Sequence, residues 1–184
     1  WSYKPLEPDS VNLYDTVAYV LRPATSKREC SFVELVAEGP QQADWFVSVA
    51  WSTSLSGVIR CLDAHARDHG LDEQACYWIA PFALSQHATG ARARSDGDFW
   101  TAPLSKTPHD TSFAAAWAAP CQGIVAVIDE DATCFDRTWF AFEHLLALLH
   151  PPRASFARCF YAPFAHEYQV DTADPMHTEL RMAV

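Results

Sequence analysis

Residues 45–52, Trp-Phe-Val-Ser-Val-Ala-Trp-Ser, constrain the fold of this chain more than any other stretch. The run is short, apolar and rich in aromatic and β-branched residues, which is the composition of a buried strand. A polar Ser52-Thr53-Ser54 break follows, then a helical pattern with Leu55, Val58, Ile59, Leu62 and Ala66 on one face. Thr53 or Ser54 can cap that helix, and Gly70 stands where its C-terminal stop belongs. Strand, short polar turn and helix make up the unit from which α/β ligand crevices are built.

The alternation continues along the chain. Residues 76–82 and 123–128 are further unbroken apolar runs, as parallel strands covered on both faces are. Residues 155–162 read as a fourth strand, and Asp136 stands as the cap of a helix running to 149. Upstream, residues 1–9 read as an extended arm. A helix follows from Ser10, with Tyr14, Val17, Ala18 and Leu21 on one face and Pro23 as its stop. Ser31 and Glu34 match a capping box for a short helix through Ala37. Thr111 or Ser112 caps another short helix ending before Pro120, and residues 84–110 hold no period, as in a functional or docking loop. The expected fold is an α/β three-layer sandwich with a parallel sheet of four strands, or five, in the order 2-1-3-4. The expected division is an N-terminal arm and helices over 1–40, the α/β domain over 41–164 and an extended tail over 165–184.

Composition narrows the function. Charged residues are 20% of the chain and apolar ones 49%, which is ordinary for a globular protein. The net charge of -10 disfavours nucleic acid or an anionic membrane surface as partner. Residues 139–149 are the densest apolar stretch and are interrupted by Glu143 and His144, so no membrane span is expected. The six cysteines stand singly, with no C-x-x-C pair, and read as reduced thiols rather than a disulfide framework.

The run Cys30-Ser31-Phe32-Val33-Glu34-Leu35-Val36, the following Gly39-Pro40-Gln41, and Trp45-Phe46-Val47-Ser48 resemble a poorly characterised algal and protist family. Its members carry F-V-S-H-x-W-G, A-N-N-Q-H and R-x-W-C-x-x-E motifs in that order, and the resemblance covers roughly residues 11–162. The layout is also similar to TIR (Toll/interleukin-1 receptor) domains. Departures are as informative as matches. Val49 replaces the family histidine, Ser52 its glycine, Leu84 and Ser85 its asparagines and Phe140 its cysteine, while Gln86, His87, Arg137, Trp139 and Glu143 remain. The TIR domains that cleave NAD have a glutamate before the third strand, whereas residues 112–117 hold no acid. A fold kept while its polar site is lost would look like this.

Among candidate sites, Arg137 and Glu143 sit six residues apart on the expected helix. They could bind an anion across the crevice at the strand switch point. Alternatively Arg137 answers Asp129, Glu130 and Asp131 while Glu143 is a buried structural acceptor, and this second reading is preferred because ion pairs at strand ends are common. His87 offers a general base, although a lone loop histidine is more often simply solvated. His65 and His69 have the i, i+4 spacing of a metal clamp but lack the H-E-x-x-H glutamate. The helix's polar face accounts for them, and no metal is expected. Ser48 lacks a G-x-S-x-G context, and no phosphate-binding glycine loop occurs, so no cofactor is expected. Seven tryptophans are many for this length, and Trp1, Phe99, Trp100 and Trp117 are candidate interface anchors. These features point to a non-catalytic protein–protein interaction module, a structural or accessory subunit whose partners are other protein subunits. An enzyme acting on NAD or nucleosides and a signalling adaptor are the alternatives. Family distribution implies an intracellular, soluble or membrane-peripheral protein, in a plastid assembly such as a photosystem or in the cytoplasm.

Overall fold

A computed structural model describes residues 7, 9–87, 121–129, 132–149, 157–162 and 180–182. Its centre is a five-stranded, all-parallel sheet in the order β2-β1-β3-β4-β5. The strands are β1 (Trp45–Val49), β2 (Tyr77–Ile79), β3 (Gly123–Val127), β4 (Ala157–Ala162) and β5 (Leu180–Met182). The expected order of the first four is the observed one, and β5 is supplied from within the stretch assigned to the tail. The strand–turn–helix unit therefore lies inside the sheet, one strand in from its edge, with β1 paired to β2 on one side and β3 on the other.

Strand residues alternate between two helical layers. Trp45, Val47, Val125, Val127 and Tyr161 pack on one face with Cys61 and Ala64 of helix α4 (Leu55–Asp68). Phe46 and Ile124 pack on the other with Leu146 and Ala147 of helix α6 (Thr138–Leu149). Strands β1 and β3 are covered on both faces, which is why they carry the continuous apolar runs seen in the sequence. Helix α4 starts and ends as its residues dictate. Ser54 Oγ accepts the Gly57 N–H at 3.1 Å as N-cap. At the far end Gly70, at φ 60°, closes a Schellman motif with Leu71 N–H to Ala66 O and Gly70 N–H to Arg67 O.

Several boundaries differ from expectation. Strand β2 ends at Ile79, and Ala80–Ala83 forms the short helix α5. Pro81 explains the change, because it lacks a ladder donor but fits the first turn of a helix. Pro23 does not stop the N-terminal helix. Helix α1 (Leu13–Thr16) runs through a π turn (Val17–Leu21) into α2 (Arg22–Thr25), with Arg22 N–H bonded to Val17 O. The wider turn accommodates a proline that an α ladder would reject. It also moves the buried face to Leu13, Val17, Leu21 and Thr25, leaving Tyr14 exposed. In a pure α-helix, residues spaced by four drift about 40° per step, and the π turn takes up that drift. Asn12 and Asp15 build a capping box at the start of α1, and Ser31 and Glu34 build the expected one at α3 (Phe32–Val36). The Ser31 bonds hold the Glu34 carboxyl below its usual range. Asp136 does not cap α6. It ends a 3-10 turn, Thr133–Asp136, and Arg137 adopts an extended conformation just before the helix.

All six cysteines are free, as expected, and burial pushes the Cys61 thiol up to about 12. No helix among the described residues is long and apolar enough to cross a membrane. Trp1, Phe99, Trp100 and Trp117, residues 112–117 and most of the loop over 84–110 lie outside the described residues.

Candidate functional site

In an open parallel sheet the place for a ligand is outside the carboxyl ends of the strands where the order reverses, here between β1 and β3. Ser48 of β1, paired in register with Ala126 of β3, faces α6 by strand alternation. Its Oγ donates to Oε2 of Glu143, which α6 lowers onto β1. Both groups are in the core, Ser48 at 2% and Glu143 at 8% exposure. Burial pushes the Glu143 carboxyl up to about 7, opposed by the Ser48 hydrogen bond and the Arg137 charge. Arg137 thus acts on Glu143 from the residue ahead of the helix rather than from its surface.

The chain just beyond β1 is itself packed into the core. Trp51 is 7% exposed and packs with Leu13, Val17, Leu21 and Val58. The N-terminal segment clamps the polar break, with Leu13 N–H to Trp51 O at 3.0 Å and Leu55 N–H to Val11 O at 2.7 Å. An isolated antiparallel bridge joins Asn12 to Ser54. The carboxylate of Asp129 is turned to its own loop, where Oδ1 accepts the Cys134 N–H at 3.4 Å.

Gln86 and His87 belong to this same clamp. The Thr25 hydroxyl donates to Leu21 O at 2.7 Å, which leaves it to accept from His87 Nε2, also at 2.7 Å. His87 is therefore tied to α2 rather than free as a base. Ser85 Oγ donates to Glu29 O at 2.9 Å, and Gln86 is 3% exposed with its amide donating to Leu84 O. The motif fastens the N-terminal helices to the end of α5. Of the three weak catalytic candidates, the structure brings Arg137 and Glu143 together electrostatically and places His87 against a different element.

A second constellation occupies the α4 face. His65 is not on a solvated helix face, as expected, but fully buried at 0% exposure. Its Nδ1 lies 2.8 Å from the Tyr77 hydroxyl, and its Nε2 has no hydrogen-bond partner among the described residues. Trp45, Tyr77 and Tyr161 meet the ring edge to face. Desolvation, helped by the His69 charge, lowers the imidazole to about 4, so it is neutral at ordinary pH. His69 Nε2 lies 3.4 Å from Cys159 Sγ of β4. One donor atom from each of His65, His69 and Cys159 lies within 4.8 Å of the other two. Beside the same helix, Asp63, Ala66, Leu71, Asp72, Glu73 and Gln74 line a shallow open hollow.

Sequence reasoning named Ser48 and Glu143 separately and did not join them, and it did not connect Cys159 with the two histidines. The available signal for the first was a single acid inside an apolar helix, which needs a buried donor. No protein-family model, curated protein or solved structure matches the chain.

Proposed function

We propose that the chain is a non-catalytic interaction module that serves as a structural or accessory subunit of a protein assembly. The observation that carries this reading is the outer face of α6. Phe140, Glu143, Leu146 and Ala147 are buried against the sheet, while Ala141, Leu145 and Leu148 are exposed, the two leucines at 49% and 62%. Phe135, in the turn ahead of α6, is 57% exposed. A helix apolar on both faces is suited to being covered on both, and leucines displayed at helical spacing are anchors for a protein groove. The state of the polar pair agrees with the reading. Ser48 and Glu143 are buried and hydrogen-bonded to each other inside the core. The resemblance to the algal family is the ground for looking first among organellar assemblies, photosynthetic ones included.

Native purification of the full-length chain tests the proposal. The expected result is a fixed, stoichiometric partner set that is lost in Leu145→Glu and Leu148→Glu, while both variants keep the wild-type circular dichroism and melting transition. A chain that migrates as a free monomer in gentle lysates, or variants that keep every partner, would overturn it.

A carboxyl raised to about 7 favours one other reading, because a buried acid titrating near neutrality can carry a proton. In it, Glu143 with Arg137 beside it would act on a nucleotide or glycosidic bond. That reading predicts NAD or nucleoside turnover that disappears in Glu143→Gln. Absence of turnover in the purified wild-type chain removes it.

A further inference from the structure

We propose that His65, His69 and Cys159 form a binding site for one zinc-class divalent cation, which pins the C-terminal end of α4 to β4. The starting point is the Nε2 of His65. Buried polar atoms in folded proteins are almost always paired, yet this nitrogen is fully enclosed and has no partner among the described residues. A purely structural core histidine would be explained by its Tyr77 bond and its aromatic neighbours, but that account leaves Nε2 unused. The Tyr77 bond suits this role: in the tautomer whose Nδ1–H donates to the phenol oxygen 2.8 Å away, Nε2 carries the lone pair a metal needs, and Tyr77 takes the supporting place behind a ligating histidine.

The other two donors converge on the same place. His69 is one helical turn further on, at the C-cap of α4, and Cys159 comes from β4 across the sheet face. Zn–N bonds of about 2.0–2.1 Å and Zn–S bonds of about 2.3 Å give tetrahedral ligand edges of roughly 3.3–3.6 Å. The 3.4 Å from His69 Nε2 to Cys159 Sγ already matches such an edge, and a ring nitrogen of His65 lies within 4.8 Å of the other two donor atoms. Small side-chain shifts close the remainder. Two imidazoles and a thiolate suit a borderline-soft ion and do not suit magnesium or calcium, which take oxygen ligands. His69 is exposed, so the fourth position opens toward water.

The test uses the tag-free full-length chain, stripped with a chelator and titrated with Co2+ as an optical stand-in for Zn2+. The expected result is one equivalent bound, with tetrahedral visible bands and a sulfur-to-cobalt charge-transfer band in the near ultraviolet, all displaced by Zn2+ and untouched by excess Mg2+. Cys159→Ser should abolish the charge-transfer band. Tyr77→Phe should weaken binding about 10–100-fold, and His69→Ala, at an exposed position that leaves the core intact, should weaken it more. A folded wild-type chain with no charge-transfer band overturns the proposal. So does Co2+ binding of unchanged strength in both His69→Ala and Cys159→Ser, which would place the ion elsewhere in the chain.

Discussion

On the α6 face of the sheet, Ser48 and Glu143 are buried and hydrogen-bonded to each other, whereas on the α4 face His65 is buried with one ring nitrogen on Tyr77 and the other without a partner among the described residues. Burial acts on both ionisable groups by the same physics and in opposite directions, raising the acid to about 7 and lowering the base to about 4. Each is driven toward its neutral form, because a low-dielectric interior penalises charge of either sign. The two sites differ in how fully their hydrogen bonding is met. A serine hydroxyl against a carboxyl closes within the protein, and folding alone accounts for it. The His65 imidazole, beside a second imidazole and a thiol, keeps one ring nitrogen without a hydrogen-bond partner among the described residues. A buried polar group is thus a stronger pointer to a ligand when it is incompletely paired than when it is merely perturbed.

The largest expected effect concerns pH on the α6 face. The folded chain holds the Glu143 proton up to about pH 7, while the unfolded chain releases it near 4.5, so the folded state binds more protons in that window. The stability from this group is fully present below pH 4.5 and is lost as pH rises through 7, by on the order of 3 kcal/mol. Urea unfolding across the window should show the wild type losing that stability relative to Glu143→Gln, which has no such titration. Parallel profiles for the two would mean that Glu143 is not held in the core as described. Next comes Ser48→Ala, which leaves the carboxyl buried without its donor and should cost about 1–3 kcal/mol. Combining it with Glu143→Leu should restore most of the loss, since removing both members of a closed pair leaves nothing unsatisfied. A double variant as unstable as the worse single one would break the idea of a closed pair.

Smaller effects sharpen the α4 side. Gly70→Ala places a Cβ in the left-handed region with no atom within 4 Å, so its cost is purely conformational, about 1–2 kcal/mol. Because His69 immediately precedes Gly70, the same variant should also weaken Co2+ binding. Tyr161→Phe removes the hydroxyl that donates to Asp68 Oδ2 at 2.9 Å and should lower stability by about 0.5–1.5 kcal/mol in thermal unfolding. That bond joins the same helix end to the same strand, so a larger loss in the metal-free than in the Zn2+-loaded chain would show the ion sharing its work.

Much of the frame was legible from sequence. Unbroken apolar runs, the Ser54 cap, the Gly70 stop and the Ser31–Glu34 capping box act over a few neighbours, and each appears where local chemistry puts it. Prolines were harder, because their effect depends on whether the chain can widen or turn around them. Pro23 is absorbed by a π turn, and Pro81 converts the end of an expected strand into a helix. The sites were the least legible. Ser48 meets Glu143 across 95 residues and His69 meets Cys159 across 90, and only strand parity combined with helix docking brings each pair together. The single acid in α6 hinted at the first pair. Nothing local joined a strand cysteine to the histidines of another element.

The central claim is that α6 serves structure with its inner face and binding with its outer one. A side-by-side native purification of Leu148→Glu and Glu143→Gln tests it most directly. The account predicts that Leu148→Glu emerges folded and alone, while Glu143→Gln keeps the full partner set. Partners retained by Leu148→Glu but lost by a folded Glu143→Gln would contradict it.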